Sequence, residues 1–559
     1  MTIAALIVDR QSSNRPDGHA ERRPDYRGGG IQVVAGAERL GFLGGRYTGD
    51  RETLRCSRGG FKWEMSVRGS WSAVQRRQEE KGFKAMRSTT ILFVTTIMSI
   101  GLETHGIDAQ SEPTPVVTEA RPADFGLRWI RREPFTITST VVTNKTFDVN
   151  TYRGAGLNTV LLWETAEGVL RDASRAGLPW IYHAENRRDP AGEGFAELVA
   201  MERNRAKQYM ATYSGSKAFV VWDEVKGAYL DYARKSVGWA QQTFPDLLVY
   251  VNVHPFEPGA NYWVRGKSAH KVSVAPNPYN YEIFLRDVIR RTGTDVLSID
   301  PYPFCDEEEY PFYGDVERLI RETYFYTLET ARDAAQEANI PYWVFVQAFA
   351  IPSARYLPSE SDFRMEVFVP LAYGFTGIQY FLYQTPAFTG IMNTDGSRGE
   401  LYPHVADVSA EVSHLGKTLR LLTSADVRYI PGAGGGKANP IPTGIAAFDS
   451  AAGARWGIND IQVKEDGITN NGVIGFFKDS SAGKYFMLVN VKRDKGESAE
   501  AMALSYTLTF DDSVDHLYRL NRETGDVDRM ELAEHTLQVK LPGGTGDLFK
   551  IGDNQFAFE

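Results

Sequence analysis

The sequence is poor in cysteine and has no excess of positive charge. Its 559 residues include two cysteines, Cys56 and Cys305, and neither lies in a C-x-x-C pair or near histidines at zinc-ligand spacing. Lys and Arg number 62 against 71 Asp and Glu, giving a formal net charge of −9. These absences give no support for a disulfide framework, a structural zinc, a nucleic-acid partner or an anionic membrane surface.

The N-terminal part of the chain lacks the periodicity of a folded domain. Residues 1–85 are rich in Arg, Gly and Ser, and we predict irregular or disordered chain, or an upstream extension of a protein that begins at Met86. Residues 86–109 have a basic start, an apolar stretch and small residues at the end, which is typical of a secretory signal peptide. The expected mature protein is exported to the periplasm or beyond and is not inserted in a membrane. The alternative is a disordered region followed by a buried or anchoring helix.

After a Pro-rich linker at 110–124, short apolar runs alternate with helical patterns up to about residue 424. The apolar runs, rich in β-branched and aromatic residues, are 135–142, 157–163, 178–184, 218–224, 247–254, 295–303, 342–349 and 376–383. Helical spacing is found at 195–213, 229–244, 281–293, 315–338, 362–375 and 405–422. Eight buried strands with intervening helices predict an α/β fold, a (β/α)8 TIM barrel over 125–424. No G-x-G-x-x-G follows the first strand, which argues against a dinucleotide cofactor.

The chain beyond residue 425 has a different pattern. Short alternating runs are joined by Gly, Asp and Ser turns, as in LVNVKRD and LPGGTGDLFKI. We predict that 425–559 forms an all-β domain, most simply a β-sandwich.

Polar and aromatic residues close nearly every predicted barrel strand. Active sites of TIM barrels lie at the C-terminal ends of the strands, so these residues are expected to converge on one mouth. They are Trp163, Glu164, His183, Asp223, Glu224, Asn252, His254, Asp300, Tyr302, Gln347, Tyr380 and Tyr383. Any one could be a solvated strand end, but their joint occurrence favours an aromatic-lined polar cleft.

Among these residues, the carboxylates say most about the type of reaction. Glycoside hydrolysis needs two, one to protonate the leaving oxygen and one to act as nucleophile or to activate water. Glu224 ends the fourth strand, with Asp223 beside it, and Asp300 ends the sixth. Strand alternation points Asp223 and Glu224 in opposite directions unless a β-bulge intervenes. The alternative for each is a helix N-cap.

Two histidines and several aromatic residues are candidate sugar contacts. We favour hydrogen bonds from His183 and His254 to sugar hydroxyls over a metal site, which would need a third ligand such as Glu185 or Asp300. No metal or other cofactor is therefore expected. Trp163, Tyr302, Tyr380 and Tyr383 are candidate stacking surfaces, whereas for Trp222 packing between strand and helices is the better interpretation.

Several motifs together resemble clan A-type glycoside hydrolases with a C-terminal β-sandwich. They are Glu224 at the end of strand four, IDPYP at 299–303, AYGFTGIQYF at 372–381 and the turn and helix at 393–422. The resemblance implies an acid/base Glu at Glu224. This sequence departs from the family in having Asp223 where Asn is usual and Gln347 where the nucleophilic Glu is usual.

These observations predict an exported glycoside hydrolase that cleaves a poly- or oligosaccharide. Glu224 is the expected general acid/base, Asp300 its partner carboxylate, Asp223 the reserve, and Gln347 a substrate-binding residue. An arrangement with Asp223 as nucleophile and Asp300 as acid/base stays open. Two different functions also stay open, a catalytically silent carbohydrate-binding barrel and a metal-dependent hydrolase using His183 and His254. The sequence makes no prediction of the oligomeric state.

Overall fold

The structure, a computed structural model, divides the chain into two units, Met1–Pro115 and Val116–Glu559. In the first unit, the structure describes the backbone of residues 52–58 and 61–67. In the second unit, it describes residues 121–558 with gaps. The residues outside the description are 1–51, 59–60, 68–120, 144, 164–165, 185–189, 191, 193, 259, 261, 263–279, 306–315, 353, 386, 435–436, 439, 465–471, 554 and 559.

An antiparallel strand pair forms the described part of the first unit. Glu52–Arg58 pairs with Phe61–Val67, within the stretch for which irregular chain is predicted. The predicted signal segment at 86–109 lies outside the described residues. Among the residues that are described, no helix has the length and hydrophobicity needed to cross a membrane.

The second unit begins with a closed barrel of eight parallel strands in the order β8-β1-β2-β3-β4-β5-β6-β7. These strands are β1 Thr136–Val141, β2 Thr159–Leu162, β3 Trp180–His183, β4 Ser216–Trp222, β5 Leu248–Val253, β6 Leu297–Ile299, β7 Tyr342–Gln347 and β8 Gly377–Gln384. The predicted (β/α)8 fold is confirmed, with each strand inside or within two residues of its predicted range.

Helices surround the barrel and connect its strands. They are α1 Phe125–Arg132, α2 Val149–Gly154, α3 Glu167–Arg175, α4 Phe195–Thr212, α5 Leu230–Thr243, α6 Tyr281–Thr292, α7 Val316–Leu319, α8 Phe325–Glu337, α9 Glu360–Tyr373 and α10 Tyr402–Leu419. A π-helical stretch, Ile320–Tyr324, joins α7 to α8, and a 3₁₀ turn, Gly227–Tyr229, precedes α5. The sequence patterns missed the short helices α1, α2 and α3.

Because successive side chains of a strand point to opposite faces, the barrel residues form two apolar layers, one against the helices and one inside the barrel. On β5 the odd-numbered Val249, Val251 and Val253 pack outward against the helices. Leu248 and Tyr250 point inward and pack with Trp343 of β7 and Trp129 of α1. The same inward parity continues along β5 to residues 252 and 254, which lie at the mouth. Helix α1 therefore contributes to the apolar interior layer.

The C-terminal part is a β-sandwich that follows the barrel. The larger sheet has the order Ala446–Ala447, Thr423–Ile430, Gly472–Lys478, Lys484–Asn490, Gly546–Ile551, His516–Leu520, Val527–Glu531. The smaller sheet has the order Ile458–Lys464, Leu504–Phe510, Thr536–Leu541. A short pair, Ala433–Gly434 with Lys437–Ala438, and a helix, α11 Ser450–Ala454, complete it. One apolar cluster with members from both sheets, including Phe476 and Leu508, forms the sandwich core.

Candidate active site

The end of β4 turns both adjacent carboxylates toward the same neighbouring strand. Pairing with β5 shifts register between Val220 and Trp222, so the strand contains a β-bulge at this point. Trp222 packs outward among the helices, as predicted. After the bulge, Asp223 contacts β5, and Glu224 follows with a φ of 52°. A positive φ is strained for a residue with a Cβ, and such strain is concentrated at functional sites.

Strand β5 supplies one partner for each of these carboxylates. The Asn252 Nδ2 donates to Asp223 Oδ1 over 3.2 Å. The His254 Nε2 lies 3.0 Å from Glu224 Oε2. Asn252 and His254 are two positions apart and therefore on the same face of the strand. The bulge places Val221 and Trp222 on the outward face and so turns Asp223 inward. Glu224 would then face outward by alternation, but its positive φ departs from strand geometry and its side chain reaches His254.

Asp300, which follows β6, completes the group. One oxygen each of Glu224 and Asp300 and one ring nitrogen of His254 lie within 4.8 Å of one another. Asp300 and His254 are buried, while the Glu224 side chain is 19% exposed and can reach a ligand. The arrangement brings two carboxyl groups close together. It also has the ligand types that hold a divalent cation.

Tyr302 lies beside these carboxylates as an uncharged phenol. Burial is the main cause that raises its pKa well above the usual range. Negative charges add to that effect, in the order Asp300, Asp223, Glu366, Glu224. The phenol therefore stays protonated at neutral pH and is available as a hydrogen-bond donor.

Aromatic rings form one wall of the mouth. Trp163, after β2, contacts the ring of His183 with 4.3 Å between centroids. Phe381 of β8 lies 5.6 Å from Trp163 and 5.9 Å from Tyr302, and it is partly exposed. Phe349 packs edge-on against both Tyr302 and Phe381. The sequence analysis did not select Phe381, although its parity with the inward Gln379 was the available signal.

Two predicted stacking residues point away from the mouth. Tyr380 and Tyr383 are 0% exposed and belong to the apolar layer between barrel and helices. The Tyr380 hydroxyl lies 3.2 Å from Ser409 Oγ on α10, and the Tyr383 ring packs on Tyr152 of α2. The prediction that Tyr380 and Tyr383 stack on sugar is therefore wrong, because their positions on β8 face outward.

The side chain of Gln347 forms hydrogen bonds with backbone groups of two loops. Its Nε2 donates to the carbonyls of Phe304 and Tyr356 at 2.9 and 3.0 Å, and its Oε1 accepts from the Phe304 amide at 3.1 Å. The side chain is 0% exposed. The prediction that Gln347 binds substrate is wrong in this structure, since its amide instead ties together the segments that follow β6 and β7.

A buried carboxyl on α9, Glu366, lies behind Gln347 and was not anticipated. Its Oε1 accepts from the backbone N–H of Gln347 over 2.8 Å, and the residue is 0% exposed. Desolvation raises its pKa well above the usual range. Helix α9 is buried along most of its length, so its hydrophobic pattern gave no signal for this residue. Glu164 and Glu185, also considered for the site, lie outside the described residues.

Comparison with known proteins gives matches among solved structures only. No family model matches the sequence, and no curated protein does. The solved matches include an endo-β-1,4-mannanase from Thermotoga petrophila, at 12% identity over 65% of this chain and 96% of that one, with a TM-score of 0.34. They also include a maltogenic α-amylase from Thermotoga neapolitana, at 10% identity over 75% and 99%, with a TM-score of 0.39. A third is a putative α-L-fucosidase from Bacteroides thetaiotaomicron, at 10% identity over 51% and 96%, with a TM-score of 0.34.

These three structures carry glycosidase names, and glycosidases are the class that the sequence motifs resemble. Their similarity to this chain is low, so the fold assignment rests on the strand order and register described above. The chemistry of the site has to be argued from its own residues.

Proposed function

We propose that this chain is a retaining glycoside hydrolase that cleaves an O-glycosidic bond in a poly- or oligosaccharide. The observation that carries the proposal is the proximity of Glu224 and Asp300, whose nearest oxygens lie within 4.8 Å. Retaining enzymes hold their two carboxyl groups about 5–5.5 Å apart, whereas inverting enzymes leave about 6.5–9.5 Å for a water. The separation here is on the short side of that division.

Glu224 acts as the acid and then as the base. It protonates the glycosidic oxygen while Asp300 attacks the anomeric carbon, which breaks the bond to the leaving sugar and forms a glycosyl ester. Glu224, now ionised, removes a proton from a water that displaces Asp300 and releases the second sugar. The His254 Nε2 lies beside Glu224 Oε2. It can donate to the Glu224 carboxylate or accept from the protonated carboxyl, so the contact is possible in both protonation states of Glu224. Trp163 and Phe381 supply the apolar faces against which a sugar ring stacks.

The test uses a panel of neutral, sulfated and uronic polysaccharides, with reducing-sugar release as the assay. Glu224→Gln should lower turnover by about 10²–10⁴-fold, since general acid/base catalysis contributes that much. Affinity electrophoresis should show that the variant still binds. Glu197→Gln, an exposed change on α4, is the control and should be as active as the wild type.

Aryl glycosides with a dinitrophenol leaving group separate the two roles. Such a leaving group needs no proton, so Glu224→Gln should still release it while Asp300→Asn should not. Equal turnover of wild type and Glu224→Gln on the polysaccharide would refute the proposal. Binding without any cleavage by the wild type would mean a carbohydrate-binding barrel instead.

A metal-dependent hydrolase is the second candidate function. The supporting observation is the same group of Glu224, His254 and Asp300, one nitrogen and two oxygen ligands on three neighbouring strand ends. Elemental analysis of the purified protein tests it. A stoichiometric divalent ion that is lost in His254→Ala, together with activity lost on chelation, would favour this candidate. Full activity with no bound ion would refute it.

We also propose that the enzyme acts outside the cytoplasm, on the basis of the signal-type pattern at 86–109. N-terminal sequencing of protein recovered from the periplasm and medium tests this. The expected first residue is Gln110, and recovery of the uncleaved chain from the cytoplasm would contradict it.

A further inference from the structure

A line of polar side chains crosses the interior of the barrel toward the site. It begins at Tyr250 of β5, whose hydroxyl donates to Gln379 Oε1 over 2.6 Å. Gln379 of β8 then donates from Nε2 to Ser298 Oγ of β6 over 3.0 Å. All three side chains are fully buried. Since β8 and β6 are separated by β7, Gln379 makes its contacts across the barrel interior.

The line continues from Ser298 to the carboxylate after β4. Ser298 Oγ donates to Asn252 Oδ1 over 2.9 Å, and Ser298 and Asn252 are register partners in the β5–β6 pair. Asn252 Nδ2 then donates to Asp223 Oδ1 over 3.2 Å. Every one of the four hydrogen bonds therefore donates in the same direction, toward Asp223.

We propose that Tyr250, Gln379, Ser298 and Asn252 form a polarised hydrogen-bond relay that orients Asp223 as an acceptor beside Glu224. In the relay Tyr250 and Gln379 are positioning residues, which act on the site from the barrel interior. The effect on turnover rests on the proposed function, whereas the coupling between Tyr250 and Asp223 does not.

The direction of donation determines how Asn252 is oriented. Ser298 has one hydroxyl proton, and because its oxygen accepts from Gln379, that proton is free to point to Asn252. Asn252 must then turn its oxygen to Ser298 and its NH₂ to Asp223. The Oδ1 of Asp223 then accepts from this NH₂. Hydrogen bonds in such a line also polarise one another in a low-dielectric interior.

The surroundings of Tyr250 show why an intact relay matters. Its ring packs edge-on against Trp343 at 5.4 Å, within the apolar cluster that fills the barrel. A buried polar network is costly when only partly satisfied, so breaking one link also weakens the others. The effect of Tyr250 is therefore expected to reach Asp223, with which it has no direct hydrogen bond in the relay.

A double-mutant cycle tests the coupling without any substrate. Tyr250→Phe and Asp223→Ala are made singly and together, and the urea midpoint of unfolding is measured for each. The double variant should lose less than the sum of the two single losses, because either change already removes one end of the relay. Tyr182→Phe is the matched control. Tyr182 is also buried, on β3, but its hydroxyl donates to Glu202 on α4, so its loss should add to that of Asp223→Ala.

Kinetics on a cleaved glycan test the effect on turnover. Tyr250→Phe and Ser298→Ala should each lower kcat by about 2- to 10-fold, which is the equivalent of one net hydrogen bond, with little change in KM. Tyr182→Phe should leave kcat unchanged. Additive changes in the unfolding midpoint for Tyr250→Phe and Asp223→Ala would overturn the relay. Absence of any hydrolysis by the wild type would refute the proposed function and leave the cycle as the decisive result.

Discussion

Replacing Glu366 by Gln should change how the stability of the protein depends on pH. Desolvation raises the pKa of Glu366 well above its usual range, so the folded state keeps the carboxyl protonated where the unfolded chain releases the proton. Its Oε1 accepts from the backbone N–H of Gln347, and its Oε2 has no hydrogen-bond partner among the described residues. A Gln has nearly the same shape and can keep the same acceptor.

The sign and size of the effect follow from proton linkage. Below the unfolded pKa of about 4.3 both states hold the proton, and Glu366 contributes no pH dependence. Above it the unfolded chain alone is ionised, so unfolding becomes easier by about 1.4 kcal/mol for each pH unit, until the folded state also loses its proton. Glu366→Gln removes this contribution.

Urea denaturation at half-unit steps from pH 5 to pH 7 measures the effect. The free energy of unfolding of Glu366→Gln minus that of the wild type should grow with pH at about 1.4 kcal/mol per unit. The exposed change Glu197→Gln is the control and should leave the wild-type slope unaltered. A difference that stays constant with pH would refute the conclusion that the buried carboxyl is uncharged.

Three further changes test the packing and the mouth. Arg364 is buried and makes two hydrogen bonds of 3.0 Å to Glu411, so Arg364→Met should lower the free energy of unfolding by about 3–5 kcal/mol in urea denaturation. A Cβ on Gly126 of α1 would lie 2.0 Å from the Asp295 carbonyl oxygen, and Gly126→Ala should lower the melting temperature by several degrees. Phe381→Ala should raise KM on a cleaved glycan by about 2- to 12-fold with the fold intact, since a stacking contact contributes about 0.5–1.5 kcal/mol.

The barrel could be predicted from sequence because its signal is repeated and local. Each strand is a short run such as LVYVNVH, in which valines alternate with inward residues, and eight such runs with helical connections leave few topologies. The same alternation correctly places Asn252 and His254 together. The turn and helix at 393–422, which resemble those of barrel glycosidases, also lie within the predicted barrel region.

The predictions for the site fail where contacts between residues far apart in sequence change the regular alternation of side chains along a strand. The bulge in β4 is a property of its pairing with β5 and cannot be read from VVWDEVKG alone, although it decides where Asp223 points. Tyr380 was selected by residue type, whereas the parity of β8 turns it outward and turns Phe381 to the mouth. The role of Gln347 depends on backbone groups of two loops far apart in sequence.

The configuration of the first product is the most direct test of the central claim, that Glu224 and Asp300 form a closely spaced catalytic pair. Proton NMR recorded in the first minutes of hydrolysis distinguishes the anomer that is released from the one that appears by later mutarotation. A spacing within 4.8 Å predicts that the first product has the same anomeric configuration as the bond that was cleaved. A first product of opposite configuration would contradict the account, since it requires a water between the two carboxylates.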